Sequence, residues 1–282
     1  MAEGVFSKLD ESLQRALDER EWMPTPVQQV TQDDIAAGKD RLVVAPTGSG
    51  KTMAAILPLL DRCLREEWTG MSILYITPLR ALNRDVDRRL EEITSAVGLT
   101  LGLRHGDTPQ SERNKHVRKP PNVMITTPET FQLMFTGSRL RELLRTVKAV
   151  VIDEIHEIAD GERGWQLSVG LSRLESFKGS PVQKVGLSAT IGNPEQVAKW
   201  LSNDTQPIVA IAPRYTELSV DAIIQTPEDE IGSLELAISP RAHATLRGLA
   251  DIISKRHPCL VFVNSRNSAE TASQRLQAIG PD

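Results

Sequence analysis

Residues 41–52 read RLVVAPTGSGKT: a short β-branched run (Leu42, Val43, Val44), then a glycine-rich turn that closes on Lys51 and Thr52. The spacing fits a phosphate-binding loop, with Ala45 where the first glycine usually stands and Gly50-Lys51-Thr52 after four intervening residues. Gly48 and Gly50 let the backbone curl so that successive N–H groups point inward at a phosphate chain. A helix opening near Gly50 adds the positive end of its dipole. Ala45, Pro46, Thr47, Gly48, Ser49 and Gly50 are therefore the candidate cradle. Lys51 reaches the β- and γ-phosphates, and the Thr52 hydroxyl is a ligand for Mg²⁺. Strand, loop and helix agree, and together they predict a nucleoside triphosphate, ATP, as ligand.

The 282 residues are 40% hydrophobic and 25% charged, which suits a soluble globular chain with room for one large or two smaller domains. A net charge of −4 gives no global basic footprint, so any nucleic-acid contact has to come from local patches. Cys63 and Cys259 stand far apart and outside any metal-ligand cluster, which predicts a reducing cytoplasm. The acid-bearing N-terminus MAEGVFSKLDESLQ is unlike a signal peptide, and no apolar run approaches membrane-spanning length.

Upstream of the loop, Val5, Phe6, Leu9, Leu13, Ala16 and Leu17 recur at helical spacing and predict one amphipathic helix over 4–20. Pro24 and Pro26 mark a turn, with Thr25 as cap of a helix starting at Pro26. Gln28, on its first turn, offers a donor and an acceptor that suit an adenine edge, though alone it reads as a solvated helix residue. Downstream, strands over 72–77, 100–104 and 122–126 each end in a turn that opens a helix: Thr77-Pro78-Leu79-Arg80, Arg104-His105-Gly106-Asp107 and Thr127-Pro128-Glu129. Open α/β sheets bind ligands at such carboxyl ends. Backbone N–H groups there hold phosphates without much positive charge. On one sheet edge the three turns would make a track for a sugar-phosphate backbone. Each taken singly is also an ordinary connector.

The strand over 148–152 delivers Asp153-Glu154-Ile155-His156. Two adjacent carboxylates on an apolar strand beside a phosphate loop suit metal-assisted hydrolysis: Asp153 to hold Mg²⁺, Glu154 to orient and deprotonate water. His156 would sense the γ-phosphate or link to the next motif. That motif is Ser188-Ala189-Thr190 at the end of a strand over 183–187, whose hydroxyls would couple hydrolysis to movement. In the intervening helix, Trp165, Leu167, Val169, Leu171 and Leu174 read as core, with base stacking a second use for Trp165. Near Pro213 the pattern changes, which divides the chain into 1–213 and 214–282. Beyond it come Leu218, Val220 and Ala222 in alternation, a helix over 241–255, a buried strand over 259–263 (CLVFV) and a helix over 268–279. About 70 residues are too few to enclose a second parallel sheet.

Taken together, Gln28, APTGSGKT, TPLRAL, HGD, TTPET, DEIH, SAT and VFVNSR stand in the order found in superfamily 2 helicases, and the chain closely resembles that superfamily. DEIHEIADGERGWQLSVGLSRLE and VGLSATIGNPEQVAKWL resemble its Large helicase-related (Lhr) group. The resemblance implies an α/β fold: a RecA-like P-loop domain with a mainly parallel sheet flanked by helices, over 1–213, then an incomplete second RecA-like domain over 214–282. It implies ATP and Mg²⁺ as cofactors and single-stranded or duplex DNA or RNA as partner. Gln28 would read adenine and Lys51, Asp153 and Glu154 would drive hydrolysis. Ser188 and Thr190 would couple it to the strand, and Pro78–Arg80, Arg104–Asp107 and 127–129 would touch the backbone. The superfamily's late QxxGRxxR-like arginine-finger motif has no counterpart here, so the sequence predicts a fragment of a longer parent, weak in hydrolysis and unable to unwind duplexes alone. A nucleotide-binding adaptor module is the alternative, against which the retained Glu154 argues. A metabolite kinase is disfavoured by DEIH and SAT.

Overall fold

In the computed structural model, residues 4–78, 83–159, 161–210, 217–255 and 258–279 are described, 83–87 by backbone alone. Helices α1 (Glu11–Asp18) and α2 (Pro26–Ala36) precede strand β1 (Arg41–Val44), and α3 (Lys51–Arg65) follows it. Next come β2 (Ile73–Ile76), α4 (Asn83–Ala96), β3 (Leu101–Arg104), α5 (Gln110–Arg118), β4 (Val123–Thr126), α6 (Pro128–Met134) and α7 (Ser138–Leu143). Then β5 (Ala149–Ile152), α8 (Glu162–Lys178), β6 (Gln183–Ser188), α9 (Pro194–Leu201) and β7 (Gln206–Val209) complete the first of two compact units, Met1–Pro213 and Arg214–Asp282. The second unit holds α10 (Pro227–Glu235), α11 (Pro240–Lys255) and α12 (Arg266–Ile279). Among the described residues no helix is long and apolar enough to cross a membrane.

The seven strands form one sheet in the order β3-β4-β2-β5-β6-β1-β7, and every pairing is parallel. This is the expected α/β architecture. Its physical basis is visible along each strand: Val43, Ile73, Tyr75 and Val151 pack into one core, while Leu42, Val44, Leu74, Ile76, Val150 and Ile152 pack into the other. A sheet with a helical layer on both faces buries both residue sets, so its inner strands read as unbroken apolar runs. Register places the carboxyl ends of β3, β4 and β2 side by side, with Arg104 opposite Thr126 and Thr126 opposite Ile76. The three strand ends therefore share one edge with the phosphate loop, which follows β1.

Several sequence expectations need correction. The N-terminal segment is not one helix: a 3-10 turn (Val5–Lys8) is separated from α1 by Leu9 and Asp10. Asp10 caps α1 by accepting from the Ser12 N–H (2.9 Å), and its own N–H donates to Asp61 Oδ1 (2.6 Å). A cap outcompetes the helical pattern because it satisfies N–H groups that the first turn leaves orphaned. Trp165 and Val169 are exposed rather than core, since the buried face of α8 is Gly164, Leu167, Gly170, Leu171 and Leu174.

In the second unit, neither the alternating stretch at Leu218 nor CLVFV forms a strand. Leu218 is 86% and Phe262 85% exposed. An apolar run becomes a buried strand only where a neighbouring strand takes its backbone groups, and among the described residues none does so here. Glu228, Asp229 and Glu230 stand in the first turn of α10. Buried Asp229 binds Arg247 from α11 through two hydrogen bonds of 2.9 Å. It also binds His243 Nδ1 (2.8 Å) and the Thr226 N–H (2.8 Å). One carboxylate thus ties α10 to α11.

Candidate functional site

The turn after β1 needs its glycines for stated reasons. Gly48 and Gly50 have φ of 77° and 93°, and a Cβ on Gly50 would lie 2.7 Å from Gln28 Nε2. Gly50 is the residue on which α3 opens, so the first N–H groups of a fifteen-residue helix face the loop. Lys51 is buried, and its ammonium donates to the carbonyls of Ala45 (2.8 Å) and Pro46 (3.1 Å). Burial pulls the Lys51 pKa below its ordinary value, and the charges of Glu154 and Asp153 oppose that shift. The Ala45 N–H donates to the Ser188 carbonyl (3.2 Å), which fixes the loop to β6.

Gln28 is buried, not solvated. Its Oε1 accepts from the Thr25 N–H (2.9 Å) and its Nε2 donates to the Gly50 carbonyl (3.3 Å), so the amide ties the start of α2 to the loop. A cleft of about 500 Å³ opens here, lined by Thr25, Gln28, Thr47, Gly48, Thr52 and the Asp153-Glu154 pair among others. The fit to a nucleotide rests on this chain's own atoms. The cradle excludes a side chain at Gly50, the Lys51 ammonium lies at its floor, and Ser49 Oγ is buried without a hydrogen-bond partner among the described residues. Two carboxylates and a threonine hydroxyl also form an all-oxygen donor set that suits Mg²⁺.

Asp153 follows β5, held by its N–H to the Ile76 carbonyl (2.8 Å). Its Oδ2 accepts from the Tyr75 hydroxyl (2.6 Å) and its Oδ1 from the Glu154 N–H (2.9 Å). Burial raises the Asp153 pKa, while Tyr75, the Glu154 N–H, Lys51 and His156 all restrain the rise. Tyr75 is itself fully buried, with its phenol pushed far up by burial and by the Asp153 charge, and its hydroxyl also meets Thr52. Glu154 has a left-handed backbone, φ 46°, and a pKa raised first by burial and then by Asp153. His156 Nδ1 stands 3.5 Å from Glu154 Oε2 and 3.2 Å from Ser188 Oγ. Glu154, His156 and Ser188 thus form one chain of contacts, whereas Thr190 is exposed and outside it.

Along the edge, the turns present backbone more than side chains. Pro78, Thr127 and Pro128 are buried, and Arg80 lies outside the described residues. Arg104 is also buried, with Nη1 donating to the Arg113 carbonyl (3.3 Å), and burial lowers its pKa. His105 Nδ1 accepts from the Asp107 N–H (3.1 Å). Thr127 caps α6 by accepting from the Thr130 N–H (3.3 Å), and Glu129 pairs with Arg163 (2.7 Å).

Sequence reasoning missed Tyr75, and it missed Phe6, Trp22, Met23 and Arg89, which also line the cleft. A signal existed for Tyr75: a hydroxyl inside a wholly apolar strand demands a buried partner. Trp22 and Met23 sit directly before the Pro24 turn, and only the folded chain brings them to the loop.

The model of the family described as DEAD/DEAH box helicase matches residues 25–197. The Lhr helicase/probable uracil glycosylase of Mycolicibacterium smegmatis is 37% identical over 92% of this chain and 18% of its own length. The ATP-dependent helicase Lhr-Core of Methanothermobacter thermautotrophicus is 34% identical over 92% of this chain and 32% of its own length. The structure of Mycobacterium smegmatis helicase Lhr bound to ssDNA and AMP-PNP superimposes with a TM-score of 0.78 at 33% identity, covering 98% of this chain and 36% of that one. The chain thus spans about a fifth to a third of the length of these curated relatives, and the sheet is of the RecA-like helicase type.

Proposed function

Since this chain belongs to the DEAD/DEAH box helicase family, we propose that it binds Mg²⁺–ATP in the cleft at residues 45–52 and a nucleic-acid strand along the neighbouring strand-end turns. The observation that carries the proposal is the convergence of Lys51, Asp153 and Glu154 on one cleft beside a glycine cradle.

In that reading the N–H groups of Thr47, Gly48, Ser49 and Gly50 and the start of α3 bind the phosphates, and Lys51 turns from the Ala45 and Pro46 carbonyls to the β- and γ-phosphates. Gln28, held at the cleft wall, reads the adenine edge. Thr52 and Asp153 hold Mg²⁺, which when bound neutralises charge on the phosphate oxygens. Glu154 orients the attacking water and takes its proton. Its raised pKa brings it nearer the range in which a general base works well. His156 relays the state of Glu154 to Ser188, and through the strand end to Thr190 and the edge. There the turns at Pro78–Arg80, at Arg104 and His105, and at Thr127, Pro128 and Glu129 meet the backbone of single-stranded or duplex DNA or RNA. With Arg104, Thr127 and Pro128 buried, the contact falls on backbone N–H groups, which bind phosphate without reading sequence.

Residues 214–282 are read as the start of a second RecA-like domain. In a longer parent of the kind the relatives represent, hydrolysis would drive strand translocation or unwinding. The reading also places the chain in the cytoplasm, where a buried Cys63 with its thiol pushed up to about 11 and a free Cys259 are both tolerated.

The test is a titration with a fluorescent ATP analogue, with and without Mg²⁺, followed by steady-state hydrolysis with and without single-stranded DNA. Lys51→Ala should lose nucleotide binding. Glu154→Gln should keep it and lose whatever hydrolysis the chain supports. Nucleotide binding that is indifferent to Lys51 would end this reading.

A further inference from the structure

The outer face of α8 carries features that the nucleotide cleft and the edge leave unused. Trp165 is 72% exposed and Val169, one turn on, 58%. They point away from the face of α8 that carries buried Leu167, Leu171 and Leu174. Beside them a groove of about 500 Å³ runs along α8, with Phe135 and Phe177 in its wall. The Arg173 guanidinium stacks 4.5 Å from the Phe135 ring centroid, and that of Arg141 5.3 Å from Phe177. Neither arginine has an ion pair among the described residues. Arg145, also over Phe177, is already paired with Glu142. Stacking occupies the faces of a guanidinium and leaves its in-plane N–H fork for an oxyanion.

This surface continues the edge. The start of α8 is bound to α6 by Arg163–Glu129 (2.7 Å), at the turn that opens α6, and by the Gln132 amide on the Gln166 carbonyl. Trp165 stands between those two links in sequence, and Arg173 lies eight residues on, ~12 Å along the helix axis. Two unpaired arginines alone would suit an acidic peptide. An exposed indole on the same helix as Arg173, next to the strand's own path, selects a polyanion that carries bases.

We propose that the outer face of α8 is a second nucleic-acid contact: a base stacks on Trp165, and Arg141 and Arg173 hold phosphates of the strand as it leaves the 127–129 turn. The proposal rests on the reading of that edge as the strand track.

Fluorescence anisotropy with labelled single-stranded DNA of about 6 and about 20 nucleotides, lengths that fill the edge alone or edge and groove, tests it. All three side chains are exposed, so Trp165→Ala and the double variant Arg141→Gln/Arg173→Gln should fold, which circular dichroism and binding of the fluorescent ATP analogue check. Expected is about tenfold weaker binding of the longer strand by each variant, with the shorter strand unaffected. The double variant should also lose about 1.4 from the slope of log affinity against log salt, the share of two single-strand phosphates. Unchanged affinity and slope in the variants, with wild-type binding intact, overturn the groove and leave the edge reading standing. A wild-type chain that binds neither strand overturns both. Polyglutamate peptide that binds wild type and not the double variant, with DNA affinity unmoved, assigns the groove to a protein and overturns the proposal.

Discussion

Replacing Tyr75 by phenylalanine removes the hydroxyl that holds Asp153 from beneath and leaves the ring to fill the same buried space. The hydroxyl donates to Asp153 Oδ2 at 2.6 Å, inside a strand with no solvent access. A hydrogen bond to a charged group contributes about 1.5–3 kcal/mol. Without it the Asp153 carboxylate loses that much relative to the neutral acid, so its pKa moves up beyond the rise that burial already imposes. Mg²⁺ binds the carboxylate form, so Mg²⁺-dependent nucleotide affinity should fall by about ten- to about 150-fold at pH below the Asp153 pKa of both proteins, and the loss should shrink as pH rises through the variant's value. Binding in the absence of metal, which depends on the loop and Lys51, should hardly change. Titration of a fluorescent ATP analogue between about pH 5 and about pH 8 reads both effects, because the acid limb of metal-dependent binding should move to higher pH in the variant. An acid limb and an affinity that coincide with wild type would show that Tyr75 does not set the charge of Asp153, and the reasoning would fail.

Glu154→Gln tests the other carboxylate through stability. Burial and Asp153 raise Glu154 above its ordinary 4.5, so the folded chain holds the proton more tightly than the unfolded one. That contribution is present at acid pH and lost as pH rises through the raised value. The uncharged variant should therefore melt higher than wild type at neutral pH and equally below about pH 4, and a pH-independent difference in Tm would refute this. Asp229 behaves in the opposite sense: Arg247 first, with His243 and Thr226, holds it well below its ordinary 3.8. Its contribution is present above that value and fades as pH falls towards the depressed one. Asp229→Asn should speed hydrogen exchange in α10 and α11 at neutral pH and leave the sheet of the first unit protected, so equal protection of α10 and α11 in both proteins would count against the carboxylate as their link. Gly50→Ala puts a Cβ at φ 93° and 2.7 Å from the Gln28 amide, at a cost of order 1–3 kcal/mol. It should lower Tm and abolish nucleotide binding, and an unaltered nucleotide affinity would refute the role given to the turn.

The inner strands were legible because a sheet covered on both faces turns them into plain apolar runs, and the phosphate loop because its glycines answer to backbone geometry alone. The sharing of one edge by three turns followed from their common position at strand ends. What escaped was set by neighbours distant in sequence. Strand β7 carries Gln206 and Pro207 and is half-exposed at the sheet margin, where proline is tolerated and no apolar run marks it. Tyr75 and Asp153 stand 78 residues apart, and nothing local names the one as the other's partner. Trp165 obeys helical spacing yet lies on the wrong face, because Gly164 and Gly170 let other elements press close on the opposite side. CLVFV shows the limit of reading apolar runs, since a strand is made by its partner as much as by its own residues.

The left-handed backbone at Glu154 has an evolutionary consequence. In an extended strand consecutive side chains diverge to opposite faces, and the turn at φ 46° brings Asp153 and Glu154 to a single cleft instead. A non-glycine residue bears a conformational cost there that glycine escapes, and a buried carboxylate bears a second. Local stability therefore favours replacement of Glu154, by glycine for the backbone or by a neutral side chain for the charge. Each such step strengthens the fold while removing the group proposed to activate water. In the proposed reading, drift at this position runs towards a sturdier protein that no longer hydrolyses ATP, so that turnover, not stability, accounts for a glutamate at residue 154.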